Sequence, residues 1–196
     1  MNLALFPLPV VLFPGGITRL KIFEQRYLRM VKEAAGDKGF ALTTFYPDLP
    51  HNIGDRASWV KIIDFQTLED GMLGVDIQAQ SVLSIDQVTV EKDGLIRGQT
   101  SQIPHWPPSS SLQQQQEQQQ PQTNQIQALA AKLKQVLDAN PALKAFYPHP
   151  SYDDANWVCL RWLEILPIST IDKSPFFAPD SFAQAVELLR GMVLAG

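Results

Sequence analysis

Residues of the types that do chemistry are present in this chain, but few stand at the spacings chemistry requires. Two adjacent carboxylate pairs, Glu69-Asp70 and Asp153-Asp154, have the composition of an acid–base couple. The first falls in a hairpin turn and the second where a helix start favours acidic residues, so each has a sufficient structural reason and a hydrolase is unsupported. His51, His105 and His149 are far apart, and none has a Cys, His or Glu at the close spacing of zinc ligands. Gly15-Gly16-Ile17-Thr18-Arg19 is too short for a phosphate-cradling loop, which ends in Gly-Lys-Ser/Thr, and it feeds a strand. Cys159, between Val158 and Leu160 in the most apolar helical stretch, is placed to be an inert core thiol. No catalytic residue, metal or cofactor is expected.

What remains is recognition. Glu24, Arg26 and Arg29 open an early helix at positions leaving its apolar face, a charged cluster able to engage polypeptide. The competing reading is a solvated helix face with an internal Glu24–Arg26 pair, a common and weak arrangement. Trp106, in a loop bounded by Pro104 and Pro107, is the other candidate contact, because aromatics are enriched at binding hot spots. Covering the end of the preceding β domain, or docking the following one, accounts for it as well.

The elements that must position these residues follow from local chemistry. Pro7, Pro9 and Pro14 fix φ and remove donors, so the apolar run around them is extended, at a sheet edge or in corners. Pro14-Gly15-Gly16 makes a turn into a strand over residues 17–22, and Phe23, Tyr27, Val31 and Ala34 recur at helical spacing up to Gly36. Residues 40–45 and 57–65 are rich in aromatic and branched side chains, and Leu73, Val75, Ile77 and Ala79 alternate with polar neighbours. Val88 and Val90 alternate again. Asp70-Gly71 and Asp93-Gly94 supply hairpin turns, and residues 95–100 return as a strand. A meander of this kind, with one early helix, suits a small closed or nearly closed barrel.

Beyond Pro104 the pattern changes. A Ser- and Gln-rich tract bordered by prolines reads as a linker over 109–123, although glutamine is a fair helix former and its later part could be the first turns of the next helix. Ile126, Leu129, Ala130, Leu133, Val136 and Leu137 mark one face of a helix that ends before Asn140-Pro141. Residues 157–166 are apolar on nearly all sides apart from Arg161 and Glu164, and Pro167 stops them. Asp180 is placed to cap a last helix carrying Phe182, Val186, Leu189 and Val193. The expected organisation is a β domain over 1–108, the linker, and a helical bundle over 124–196.

Composition sets the class. The chain has 196 residues, 45% hydrophobic and 18% charged, with a formal net charge of -4. That balance argues against a general nucleic-acid binder, which carries a basic footprint. No apolar run reaches the length of a membrane span, the apolar start lacks the marks of a secretion signal, and a single cysteine suits a reducing compartment. The cytoplasm is the expected location.

The block from Leu5 to Gly16, followed by Leu20-Lys21-Ile22-Phe23-Glu24-Gln25-Arg26-Tyr27-Leu28-Arg29-Met30-Val31, resembles the start of the Lon substrate-binding domain family. Ile53-Gly54-Asp55-Arg56-Ala57 resembles the family's Gly-x-x-Ala segment, Asp70-Gly71 its hairpin, and Leu163-Glu164-Ile165-Leu166-Pro167-Ile168 its Leu-Pro helix end. The chain departs from the pattern at Lys21, at Gln25 and across residues 79–83, so it is a divergent member.

The resemblance implies an α+β fold: an N-terminal β-rich, PUA-like pseudo-barrel with one early helix, then a C-terminal helical bundle. It also implies a free-standing, non-enzymatic module without ATPase or protease domains, which recognises unfolded or extended polypeptide or a specific protein partner and is linked to protein quality control or proteolysis. RNA binding is the alternative; it rests on fold analogy to PUA-like barrels and stands against the acidic balance.

Overall fold

Interrupted by proline though it is, the opening segment forms a strand, β1 (Asn2–Leu8). It runs parallel to β3 (Phe40–Phe45), with Pro7 opposite Thr43, and antiparallel to β6 (Ile96–Ile103) only as far as Leu5. Pro7 therefore stands where the ladder has a neighbour on one side alone, which is where a missing N–H is tolerated. At the next turn the Gly16 N–H donates to the Phe13 carbonyl at 2.8 Å, with Gly15 at φ +80° behind Pro14, the left-handed position of a type II turn. The turn feeds β2 (Ile17–Ile22), and α1 (Gln25–Ala34) follows.

The structure is a computed structural model describing residues 1–107 and 120–195. It divides into two compact units, Met1–Ile103 and Pro104–Gly196, which puts Pro104, His105 and Trp106 with the helices rather than with the strands.

In the first unit, β4 (Ile53–Thr67) and β5 (Leu73–Val90) are joined by the Asp70-Gly71 hairpin, and β5 turns into β6 at Asp93-Gly94. The sheet order is β2-β5-β4-β3-β1-β6, and β6 returns to pair with β5. The length of β5 makes this possible. Its first part, Leu73–Gln78, pairs with β2, while Val82–Val90 pairs with β6 and closes a ring of five strands. A small closed barrel is thus what forms, within an α+β fold.

Strand alternation sends side chains to two faces. Ala4, Phe6, Phe40 and Leu42 join a core with Tyr27, Met30, Val31 and Ala34 of α1, while Leu3, Leu5 and Ala41, alternating with them in sequence, join a second cluster with Ala57, Leu83 and Ile85. Gly39 permits the close approach of β3 and β4. It sits at φ +63°, and a Cβ there would lie 2.1 Å from the Val60 carbonyl oxygen.

Two expectations for this unit are corrected. Phe23 was placed on the buried helix face, but α1 begins two residues later and leaves Phe23 64% exposed; Met30 completes the face instead. Val90 continues an alternating pattern but is 51% exposed, because a register shift between Asp86 and Thr89, with Gln87 at φ +44°, resets the strand before it.

The second unit contains α2 (Gln120–Ala139), α3 (Pro141–Lys144), α4 (Ala155–Ile165), α5 (Thr170–Lys173) and α6 (Phe182–Leu189), which runs into a π-helical turn over Arg190–Leu194. The expected face of α2 is buried through Ile126, Leu129, Ala130, Leu133 and Leu137. Because α2 starts at Gln120, residues 120–123 of the expected linker are helical; residues 109–119 lie outside the described residues.

Asp180 is not the cap of α6. Ser181 holds that position, and its hydroxyl donates to the Ala178 carbonyl at 2.7 Å instead of accepting from the helix.

Candidate functional site

Glu24, Arg26 and Arg29 are brought together, and mostly with partners of their own. Arg26 Nε donates to Glu24 at 2.9 Å, Arg26 Nη1 donates to the Gly94 carbonyl at 3.2 Å, and the guanidinium lies 4.7 Å from the centroid of the Tyr27 ring. Arg29 donates to Glu91 and, at 3.0 Å, to Asp93, and pairs with Glu33 one turn along α1. Arg97 on β6 bridges Glu33 and Glu91. The Arg29 hydrogen bond, followed by that from Arg97, holds the Glu91 carboxyl below the usual range. These charges tie α1 to the β5–β6 turn. An open depression of about 580 Å³ is lined by Arg29, Val90, Glu91, Lys92 and Asp93; the charge of Arg29 within it is already matched by carboxylates.

Trp106 lies inside the helical unit, 7% exposed. Its ring stacks on His105 at 5.1 Å, meets Phe182 edge-on at 5.2 Å, and its Nε1–H donates to the Ser181 hydroxyl at 2.9 Å. His105 Nε2 lies 2.9 Å from the Phe176 carbonyl, and burial pushes the imidazole pKa down.

Three of the residues considered for catalysis have structural explanations. The Asp154 side chain caps α4, accepting from the backbone N–H groups of Asn156 and Trp157. Asp70 accepts from Lys21 and from the Met72 N–H within its turn. Cys159 is fully buried, and its thiol pKa is pushed up to about 12, first by burial and then by Asp154. Among the described residues no group of His, Cys, Asp and Glu is arranged to hold a metal ion.

Arg161, read as a polar interruption of α4, is 1% exposed: it forks onto Glu164 at 2.7 and 2.9 Å, between the rings of Tyr147 and Trp157.

Exposed apolar residues gather at one end of the first unit, on both faces of the sheet. Among the described residues, β4 past Ile62 pairs with β5 alone and so does β2, so β2, β5 and β4 form a three-stranded wing. Ile22, Leu73 and Thr67 share a rung near its tip. Phe23 and Met72 stand at the next position along, beyond that rung, and are 64% and 38% exposed. Leu20, Val75 and Phe65 share a rung further in, where Phe65 is 51% exposed although Val75 beside it is fully buried. Ile63, the extra residue of a bulge, is 49% exposed. This surface was missed because its residues have the composition of core. The available signal was Phe23 standing ahead of the helix start, outside the helical period.

A family model described as the ATP-dependent protease La (LON) substrate-binding domain matches residues 2–192. The chain belongs to this family. Among solved structures it is similar to the Lon N-terminal domain protein from Xanthomonas campestris, with 25% identity, 98% of each chain covered and a TM-score of 0.65. The N-terminal domain of the Mycobacterium avium complex Lon protease shares the fold, with 11% identity, 97% of each chain covered and a TM-score of 0.58. No curated protein matches the chain. The Lon substrate-binding domain is a non-catalytic module whose role implies protein substrates. No described helix of this Lon-family chain is long and apolar enough to cross a membrane.

Proposed function

We propose that this chain is a non-enzymatic, cytoplasmic recognition module that binds apolar segments of unfolded or extended polypeptide through the tip of the β2–β5–β4 wing, in the service of protein quality control. The observation that supports this most is the occurrence of Phe65, 51% exposed on the face of Leu20 and Val75, and of Phe23 and Met72, exposed by 64% and 38% past the last rung, at the same end of a single three-stranded sheet. Single exposed apolar residues are ordinary on any surface, whereas a group of them marks an interaction site. Among the described residues the outer edge of β2 pairs with no other strand, so an extended segment can add there through main-chain hydrogen bonds.

Glu24, directly after Phe23, borders this surface, and Arg26 pairs with it. Arg29 positions it by clamping α1 to the β5–β6 turn, and Trp106 supports the helical unit from within.

The test is fluorescence anisotropy of a labelled unfolded polypeptide against the purified protein, with single-stranded RNA in parallel across a salt series. Saturable binding of polypeptide that survives added salt is expected. Phe23→Ser and Phe65→Ser should each weaken it about tenfold, or roughly 1.4 kcal/mol. Salt-sensitive RNA binding without polypeptide binding overturns the proposal.

A further inference from the structure

The wing has a second edge, formed by β4. β3 pairs with β4 no further than Val60, so from Ile63 to Thr67 the outer side of β4 carries no neighbouring strand among the described residues. The hairpin fixes which groups face that side. The Leu68 N–H donates to the Met72 carbonyl at 2.9 Å, across to β5, and these directions alternate along an antiparallel strand, so the N–H and C=O groups of Thr67 and Phe65 point outward. Phe65 bears this out: its N–H donates at 2.8 Å to the carboxylate of its own neighbour, Asp64, in place of a ladder partner.

Sheet edges are commonly guarded by lysine, proline, bulges or inward charge. β2 carries Arg19 and Lys21, whereas β4 from Ile63 to Thr67 has no cation and no proline, only the bulge at Ile63 and Asp64, and its Ile63 and Phe65 are half-exposed. The two faces of this edge differ. Phe65 shares the face of Leu20 and Val75, while Asp64 and Gln66 share that of Arg19, Asp76 and Lys21. A strand laid along the edge has one row of side chains beside Phe65 and the other beside Asp64 and Gln66. Resting on the reading that the wing binds polypeptide, we infer that β4 from Phe65 to Thr67 is the preferred of its two edges, that the polypeptide adds there as a further strand, and that segments alternating apolar and polar residues are selected. The main-chain hydrogen bonds are indifferent to sequence; the two unlike faces supply the selection. On binding, the Phe65 N–H exchanges the Asp64 carboxylate for a carbonyl of the added segment.

The experiment uses the full chain and labelled peptides of valine and serine, one with the two alternating and one of equal composition with the valines in a single block. Anisotropy should show the alternating peptide binding about tenfold more tightly. N-methylation at every second position removes the donors of one side only. One methylated set should weaken binding about tenfold and the other hardly at all; loss from the valine set marks an antiparallel addition, and from the serine set a parallel one. Thr67→Pro removes an outward N–H that β5 does not use and should weaken the alternating peptide about tenfold, while Thr67→Ala should bind like the parent. In the parent protein, amide hydrogen exchange at Thr67 should slow on binding, which locates the added strand even where the proline variant does not fold. Equal losses from the two methylated sets, no loss from either, equal binding of the alternating and block peptides, or unchanged exchange at Thr67 overturns this inference and leaves polypeptide recognition standing. Failure of every peptide to bind overturns both.

Discussion

Burial decides what His105 and Cys159 can do. His105 is held largely out of water against Trp106, and burial lowers its pKa from the ordinary 6.5. A lowered pKa means that the folded protein binds this proton less readily than the unfolded chain. Its contribution is therefore flat above about pH 6.5, and stability falls as pH drops from there through the folded value. Thermal melts followed by tryptophan fluorescence should show the midpoint of the helical unit dropping below about pH 6.5, and His105→Gln should flatten that slope. An identical slope in the variant would remove His105 as its cause. Cys159, with its thiol pushed up to about 12, is protonated and enclosed at neutral pH. Native protein should leave a thiol-specific disulfide reagent unreacted, and one equivalent should react once denaturant is added. The inert thiol was legible from its apolar neighbours in the sequence. The buried Arg161 was not, because its tolerance depends on Glu164 and on two rings, one of them on another segment.

Helices and hairpins were legible where one element carries its own signal. The Asp-Gly turns, the Pro14-Gly15-Gly16 turn and the face of α2 all formed as their residues require. Phe23 and Asp180 misled because each lies within two residues of a helix start, where spacing alone does not separate the first turn from the segment entering it. The clamp between α1 and the β5–β6 turn was only half visible. Glu24 with Arg26 is a local pair, whereas Glu91 and Arg97 reach Arg29 and Glu33 from far along the chain. Single exposed ion pairs contribute little, but Glu91 serves two arginines at once. Its pKa is lowered from 4.5, so its contribution is present above that value and is lost as pH falls through the folded one. Glu91→Gln should lower the melting temperature modestly at neutral pH, and the gap to the parent protein should close on acidification below about pH 4.5. A gap independent of pH would mean that the loss is one of packing rather than charge.

At the scale of the whole molecule, the order of a β-rich part followed by helices was plain from the change of hydrophobic period near Pro104. The parallel pairing of β1 with β3 and the closure of the ring by β5 were not. Both depend on register between strands distant in sequence, which no local pattern encodes. Each unit has fully buried residues of its own: Met30, Val60 and Leu83 in the first, Leu129, Leu133, Leu163 and Leu189 in the second. Cooperativity belongs to a shared core, so separate cores predict separate unfolding steps. Truncating a buried leucine or methionine to alanine costs about 2–5 kcal/mol, enough to displace one step clearly. Three of the four tryptophans, Trp106, Trp157 and Trp162, lie in the helical unit, so fluorescence reports mainly on it, while circular dichroism reports on both. Leu163→Ala should lower the fluorescence midpoint and shift only one of two steps in circular dichroism, and Met30→Ala should shift the other. A single step that moves equally with either substitution would show that the two cores unfold together and that a change at the wing tip is felt by the helices.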